Sequence, residues 1–202
     1  MSYRYDELTW PEINDAVTAG KIPVLPVGSV EQHGHHLPLS TDWFCATSVV
    51  EEAAKRSREK LLAMPPVQYG FCRHVMDFPG TVAIHPLHLV DFCLDITKSV
   101  AYHGFKKMII VNGHGSNRHL LELVARRTIL ETDAACAIVN WWDLLTVNPD
   151  FNATWRESVF PGGCGHACEL ETSMWLHLKP EAVRKDRIAD NVGKGTAFQW
   201  VD

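Results

Sequence analysis

The sequence predicts an α/β fold in which β-α units surround a mostly parallel sheet. Short apolar runs rich in β-branched residues alternate with longer stretches that have helical spacing. One run, residues 107–112, is apolar almost without a break, as is typical of a parallel strand buried on both faces. The chain of 202 residues is 46% hydrophobic, which is enough to bury a core. We therefore expect a single domain over residues 1–202.

The first half of the chain contains two predicted strands, each followed by a predicted helix. Residues 22–27 form the first strand, and its two prolines predict that it lies near a sheet edge or is interrupted. Residues 42–58 form a helix that an aspartate caps and whose charges gather at the far end. Residues 61–67 form the second strand. Residues 86–103 form a helix with proline near its start and Gly104 after its end.

The second half repeats this alternation and then becomes irregular. Residues 107–112 are the clearest strand, and residues 117–132 carry apolar side chains at helical spacing. Residues 135–140 form the fourth strand. Residues 144–165, rich in Asn, Pro and Gly, are predicted to be loop, and residues 169–178 a last helix that ends before a proline.

Composition argues against several classes of partner. The net charge of -5 provides no basic field to steer nucleic acid. No apolar run is long enough to span a membrane, and the polar N-terminus does not resemble a secretory signal. We therefore expect a cytoplasmic protein without nucleic-acid or membrane partners. None of the six cysteines forms a C-x-x-C pair, so we interpret them as packing residues, with Cys164 and Cys168 the least certain.

The histidines point to chemistry, because several follow predicted strands. Glu31 and His33 lie directly after the first strand and, two positions apart, point to the same side of extended backbone. Asp42 begins the next helix, and His114 follows the strongest strand between two glycines. Ligands of open α/β sheets bind beyond the carboxyl ends of the strands. These four side chains are therefore predicted to converge there.

Two carboxylates and two imidazoles without a thiolate favour a catalytic site for Zn²⁺, Mn²⁺ or Fe²⁺. Asp42 can bridge two such ions, which would together activate water. A lone loop histidine is more often a surface or hydrogen-bonding residue, so the combination carries this prediction. His35 and His36 stay open between supporting the site and being solvated. The remaining histidines considered are predicted to be structural: His85, His88, His103, His119 and His177.

A second polar segment opens the last helix. His166, Glu169 and Glu171 lie within six residues, which suits an acid/base pair or an additional metal ligand. The alternative is an ordinary helix start, where glutamates interact favourably with the helix dipole. Composition alone does not choose between them.

Four segments together resemble the creatininase family of amidohydrolases. They are GSVEQHGHHLPLSTD at 28–42, FPGT at 78–81, VNGHGSN at 111–117 and GHACELETS at 165–173, within a similarity over about residues 10–180. The resemblance implies a three-layer α/β/α fold, a centre of two divalent metal ions, and homo-oligomers that are often hexamers. Members of the family usually extend some tens of residues further, so the resemblance leads us to expect either a shortened chain or one that lacks an edge element.

By position, the resemblance implies that Glu31, Asp42 and His114 hold one metal ion. His33 and the shared Asp42 would hold the other, and His166 matches the family's proton-shuttling histidine.

One departure concerns the second ion. Creatininase has Tyr-Glu after the histidine of the third segment, and this Glu is a metal ligand, whereas the present chain has Gly115 and Ser116. Relatives with the glycine-rich version tend to have both glutamates of the last segment, while creatininase keeps only the one matching Glu171. We therefore expect Glu169 to replace the missing ligand and Glu171 to be an acid/base group. The reverse, with Glu171 on the metal, is the alternative.

Three functions fit this pattern. The first is hydrolysis of a small cyclic amide or formamide, with His166 passing a proton to the leaving nitrogen. The second is a C–C or lactone-type hydrolase that opens an oxidised inositol-like ring, and the third a non-catalytic metal-dependent binding protein. Three tryptophans in the irregular region, Trp141, Trp142 and Trp155, would favour a flat cyclic ligand if exposed, although loop tryptophans more often pack.

Overall fold

The computed structural model describes residues 2–159 and 163–189. Its centre is a sheet of four parallel strands in the order β2-β1-β3-β4. The strands are β1 (Ile22–Val27), β2 (Leu61–Ala63), β3 (Lys107–Asn112) and β4 (Ala135–Asn140). The chain builds outward from β1 to β2, then crosses to the other side of β1 for β3. The strand order therefore reverses between β1 and β3, the position where open α/β sheets bind ligands.

Strand β1 lies between β2 and β3, next to the edge strand β2, so it is near an edge without being the edge strand itself, and it is not interrupted between Ile22 and Val27. Pro23 faces Leu62 of β2 in the register, but pairing with β3 begins only at Val24. Pro26 pairs with β3, while its carbonyl accepts from Val67 beyond the end of β2. Since donor direction alternates along a strand, each proline lacks its N–H on a side where no ladder bond is required.

The second strand is shorter than predicted. It ends at Ala63, and only an isolated bridge joins Val67 to Val27. The two prolines between them, Pro65 and Pro66, have no N–H to donate, which ends the ladder.

Helices cover both faces of the sheet and give three α/β/α layers, as predicted. They are α1 (Trp10–Thr18), α2 (Thr41–Arg56), α3 (Pro86–Tyr102), α4 (Arg118–Glu131), α5 (Asn152–Trp155) and α6 (Glu169–Leu178). One core packs α1, α3 and α4 against Leu25 and Ile110. The other packs α2 and α6 against Val24 and Val111. Neighbouring residues of each strand thus face opposite layers.

Two segments differ from the sequence prediction. Helix α1 was not predicted, although Thr9 and Glu12 form a capping box and a proline lies at its start. The predicted loop over residues 144–165 contains the 3-10 segment Pro149–Phe151 and α5, and the 3-10 segment Trp141–Val147 extends into it. No helix among the described residues is long and apolar enough to cross a membrane.

Candidate metal centre

Five polar side chains meet beyond the carboxyl ends of β1 and β3. They are Glu31, His33, Asp42, His114 and Glu171, and each is at most 7% exposed. The first two follow β1, His114 follows β3, Asp42 lies in the first turn of α2 and Glu171 in the first turn of α6. The structure therefore brings together the four residues predicted from the strand-end loops and adds Glu171.

Helix α2 approaches this centre closely because glycines lie beneath it. A Cβ on Gly113 would lie 2.3 Å from the carbonyl oxygen of Asp42, and one on Gly28 would lie 2.3 Å from the backbone nitrogen of Trp43. Residues without a side chain are therefore required at both positions. The prediction that Asp42 caps α2 was wrong, because the helix begins at Thr41 and Ser40 takes the N-cap position. Its side chain is instead free to point into the centre.

Asp42 lies between the two imidazoles. Its Oδ1 is 3.0 Å from His33 Nε2, and its Oδ2 is 3.0 Å from His114 Nδ1. Glu31 Oε1 lies 3.4 Å from His114 Nδ1, and Glu171 Oε1 lies 3.6 Å from His33 Nε2. Each imidazole nitrogen thus faces one oxygen of the shared aspartate and one oxygen of a second carboxylate. This arrangement fits two adjacent ion positions that share one carboxylate.

Backbone carbonyls orient both imidazoles. His33 Nδ1 lies 3.2 Å from the carbonyl of Glu31, and His114 Nε2 lies 3.0 Å from the carbonyl of Phe71. A carbonyl only accepts hydrogen bonds, so these nitrogens carry the protons. In the neutral rings, the lone pairs are then on His33 Nε2 and His114 Nδ1, which face the carboxylates. Metal-binding histidines in proteins are typically oriented in this way.

Three buried atoms of these side chains have no hydrogen-bond partner among the described residues. They are His33 Nε2, Asp42 Oδ2 and Glu31 Oε2. Leaving buried polar atoms unpaired is costly, and charged ones are normally paired or coordinate metals. Carboxylate oxygens and imidazole nitrogens directed at one another without hydrogen bonds fit divalent cations between them. The donor set therefore fits the implied ions.

The electrostatics of the chain itself also require positive charge here. Burial lowers the pKa of His114, but Asp42 and Glu31 overcome this and raise that pKa to about 10. Burial likewise opposes protonation of His33, yet Asp42 and Glu171 raise its pKa well above the usual value. The pKa of Asp42 is lowered, against the effect of its burial, by His33 and His114. Positive charge on its two neighbours thus favours the charged form of Asp42, and protons or metal ions can supply that charge.

His166 covers the centre from the solvent side. Its ring lies 4.2 Å from that of His33, and its Nδ1 is 3.5 Å from Glu31 Oε1. Its Nε2 lies 2.7 Å from the amide nitrogen of Gln32, whose oxygen accepts from Gly34. Since an amide nitrogen only donates, His166 Nε2 accepts and Nδ1 carries the proton. Burial and the neighbouring His33 lower the pKa of His166, which favours the neutral ring.

The structure does not place Glu169 with the predicted ligands. Its two oxygens accept hydrogen bonds from the backbone nitrogens of Glu157 and Ser158, at 2.7 and 2.8 Å. Glu171 instead forms a buried group with His33 and Asp42 whose ligand atoms lie within 4.8 Å of one another. Its second oxygen accepts from the backbone nitrogen of Cys168 at the N-cap of α6. The placement thus favours the alternative assignment for these two glutamates.

Buried asparagines hold the loops around the centre. Asn117 donates to the carbonyl of Gly28 and accepts from the nitrogen of Phe71, at 2.9 Å each. It thereby joins the loops that follow β1, β2 and β3. Asn112 donates to the carbonyl of His114 and accepts from its backbone nitrogen. These hydrogen bonds fix the backbone of the loops whose side chains form the centre.

Other residues considered from the sequence have different roles. His36 is buried and lies 2.8 Å from Thr172, so it connects the first loop to α6, whereas His35 is exposed. Trp141 is buried and does not fit the exposed ligand platform considered from the sequence, and Trp142 and Trp155 pack against the same core. Four cysteines are buried as predicted, while Cys164 is exposed and Cys168 partly buried.

His74 is a candidate that the sequence analysis did not consider. It lies in the loop after β2, and its ring stacks 5.8 Å from that of His114. The sequence does contain one indication of this role, the position of His74. Its loop follows a parallel strand, as the other two ligand-bearing loops do.

Comparisons with known proteins agree with this geometry. Three relatives differ in their reactions. The chain is 31% identical over 197 residues to creatinine amidohydrolase of Pseudomonas putida, covering 92% of this chain and 75% of that protein. It is 32% identical to the mycofactocin precursor peptide peptidase of Mycobacterium ulcerans, covering 90% and 64%. It is 26% identical to 3-dehydro-scyllo-inosose hydrolase of Thermotoga maritima, covering 95% and 61%. The chain thus spans under two thirds of the last two.

Solved structures and a family model give the same result. A creatininase structure described with Mn matches with a TM-score of 0.85 at 29% identity, covering 97% of this chain and 80% of that one. A mutant creatininase of Zn–Zn type matches with a TM-score of 0.82 at 30% identity, covering 95% and 78%. The model of the creatininase family, described as creatinine amidohydrolase, matches residues 6–201. The chain belongs to the creatininase family.

Proposed function

We propose that this chain is a metal-dependent hydrolase that cleaves the C–N bond of a small cyclic amide or formamide. The observation that carries the proposal is the Asp42 carboxylate between His33 and His114, surrounded by buried ligand atoms that lack hydrogen bonds. Two divalent ions, of Zn, Mn or Fe, would when bound polarise a carbonyl and lower the pKa of water.

The ligands divide into two sets that share Asp42. Glu31 and His114 would hold the first ion with Asp42 Oδ2, and His33 and Glu171 would hold the second with Asp42 Oδ1. This division follows the distances, since each imidazole nitrogen faces its own pair of oxygens. Glu171 replaces Glu169 in this proposal because Glu169 is bound to the loop before α6.

His166 is proposed to move the proton. Its side chain is 42% exposed, so a substrate entering from solvent reaches it before the buried ligands. Gln32 fixes the ring, and the Nδ1 proton faces the centre. The ring can give this proton to the nitrogen that leaves when the C–N bond breaks, while Nε2 takes a proton from solvent in place of its contact with Gln32, so that the ring does not become an anion. The His166 ring can exchange protons with solvent on its exposed side.

The substrate class is proposed from the relatives and from one residue. The creatinine amidohydrolase and the peptidase to which the chain is similar both act, by their names, on C–N bonds. Ser116 stands where the resemblance places a ligating glutamate in creatininase, so we expect creatinine itself to be a poor substrate. A small substrate is proposed because the five side chains of the centre are each at most 7% exposed.

A second candidate is the opening of an oxidised inositol-like ring. It is favoured by the similarity to 3-dehydro-scyllo-inosose hydrolase over 95% of this chain. The same ions would polarise the ketone of such a ring.

We also expect a homo-oligomer, for which size-exclusion chromatography with light scattering is the direct measurement.

The test combines metal content with a substrate panel. Protein reconstituted with Zn²⁺, Mn²⁺ or Fe²⁺ is expected to bind two ions per chain by elemental analysis. It is then assayed with cyclic amides including creatinine, with formamides and with oxidised inositols. Asp42→Asn should lose both metal and turnover, whereas Asp91→Asn on the exposed face of α3 should lose neither.

Three results would count against the proposal. Full turnover by Asp42→Asn would exclude the metal mechanism. Turnover of the oxidised inositols alone would favour the second candidate. Two bound ions without turnover of any compound would favour a metal-dependent binding protein.

A further inference from the structure

His74 brings a third imidazole to the proposed centre. It lies in the 3-10 segment Arg73–Val75, at the solvent side of Glu31 and His114. The ligand atoms of Glu31, His74 and His114 all lie within 4.8 Å of one another. Neither the sequence resemblance nor the division of ligands above uses this histidine.

The loop that carries His74 is held firmly against the centre. The nitrogen of Phe71 donates to Asn117, and its carbonyl accepts from His114. The buried Cys72 lies 3.9 Å from the carbonyl of Val30 and 3.6 Å from that of Val82. The backbone two residues before His74 is thus fixed to the same loops that position the metal ligands.

The His74 side chain itself has no competing interaction. It is exposed, and among the described residues its imidazole forms neither a hydrogen bond nor an ion pair. Its contact is the ring of His114, 5.8 Å away and inclined by 13°. Both ring nitrogens therefore remain available to a ligand at the mouth of the site.

The distances allow coordination after a small movement. Ligand atoms bonded to one ion at about 2.0–2.2 Å lie at most about 4.4 Å apart. The 4.8 Å limit on this group is wider by a few tenths of an ångström. Rotation of an exposed, unbonded side chain on a surface turn supplies such a movement.

The first ion position has room for this ligand. Glu31, Asp42 and His114 provide three protein ligands, and catalytic zinc sites typically have three and leave the fourth position for water or substrate. We propose that His74 is an exchangeable fourth ligand of this ion, bound when the site is empty and displaced by substrate. The inference rests on the metal centre of the proposed function but not on its substrate.

An additional imidazole also changes which metal is preferred. Imidazole suits Zn²⁺ and Fe²⁺, whereas carboxylate and water suit Mn²⁺. With His74 bound, the first position has two imidazoles and two carboxylates and should favour Zn²⁺. Without it, the position has one imidazole and should discriminate less between Zn²⁺ and Mn²⁺.

The experiment measures metal affinity in the absence of substrate. Zn²⁺ and Mn²⁺ are titrated into metal-free wild type, His74→Ala and the control His119→Ala in competition with a chromogenic chelator. His119 is an exposed histidine on α4 that is 87% accessible, and among the described residues its side chain pairs with Glu122. In His74→Ala we expect one of the two Zn²⁺ sites to weaken about 10–100-fold, the range typical when support of a metal site is removed. Mn²⁺ binding should change less, and His119→Ala should match wild type.

Two outcomes would overturn the inference. Unchanged Zn²⁺ affinity in His74→Ala, with any defect confined to KM or kcat, would make His74 a substrate contact and not a ligand. Equal weakening of Zn²⁺ in His119→Ala would show an unspecific effect. A failure of the hydrolase proposal would be recognised separately, because the wild type would then bind metal but turn over no compound of the substrate panel.

Discussion

At the scale of single residues, Glu169 and Glu171 show how two positions in one helix take different functions. They lie about 200° apart around α6, so they cannot face the same site. Glu169 accepts two backbone hydrogen bonds from the preceding loop. The Ser158 side chain, together with these two bonds, lowers the pKa of Glu169. Glu171 is buried beside His33 and Asp42.

These placements predict opposite effects of two matched substitutions. Glu171→Gln should lose one ion per chain and most of the turnover, because a neutral amide is a poorer ligand than a carboxylate. Glu169→Gln should keep both ions and loosen only the loop before α6. Elemental analysis of the two purified variants decides between them. Loss of metal in Glu169→Gln with full metal in Glu171→Gln would restore the assignment expected from the sequence.

His166 is predicted to act on protons and not to hold metal. His166→Ala should keep two ions per chain, because Glu31, His33 and their partners remain. Its turnover should fall ~10²–10⁴-fold, the usual effect of losing a general acid or base. Metal content and steady-state rates are measured on the same preparation. Since His166 also lies within 4.8 Å of Glu31 and His33, loss of an ion in this variant would make it a ligand.

At the scale of elements, the contact between α2 and the β3 loop determines where Asp42 lies. Gly113→Ala would place a methyl group 2.3 Å from the carbonyl oxygen of Asp42 and 3.0 Å from Ala46 Cβ. Backbone must then move, and such overpacking typically costs ~1–3 kcal/mol. We expect a lower free energy of unfolding by urea denaturation, together with weaker metal binding because Asp42 is displaced.

Gly165→Ala is the matched control for this contact. No atom lies within 4 Å of a Cβ built at Gly165, and its backbone does not have a positive φ. The same added methyl group should therefore leave the free energy of unfolding nearly unchanged. Equal destabilisation by the two alanines would show that steric contact with α2 is not the cause.

At the scale of the whole molecule, the proposed ions join parts of the chain that are far apart in sequence. Their ligands come from the loop after β1, from α2, from the loop after β3 and from α6. Ligands that bind only the folded state stabilise it, by about 2.7 kcal/mol at a concentration of 100 times Kd. For a chain of this size, 1 kcal/mol corresponds to roughly 2–4 °C in Tm.

Removal of metal should therefore lower Tm by about 5–10 °C under those conditions. Calorimetry of the protein before and after chelation, and after return of Zn²⁺, measures this change. Asp42→Asn serves as the control, because it should show the lower Tm from the start and no response to Zn²⁺. An unchanged Tm in the wild type on chelation would contradict a centre that joins these elements.

The sequence by itself determined most elements and the strand-end ligands. Apolar periodicity and the positions of proline and glycine are local properties, so they identified all four strands and the helices α2, α3, α4 and α6. The sequence could predict Glu31, His33 and His114 as ligands for the same reason. Each follows a strand directly, and the carboxyl ends of parallel strands must meet at one edge of the sheet.

Only the tertiary structure decided which side chains face inward and which neighbours they meet. The interior position of β1 depends on strand order, which no local pattern contains, and its prolines are tolerated because each faces a side without a ladder bond. The direction of Glu171 depends on how α6 packs on α2. His74 lies beside His114 because the loop after β2 is bound to Asn117, a contact between residues 46 positions apart. Side-chain direction and long-range contact arise from packing, and they assemble the site.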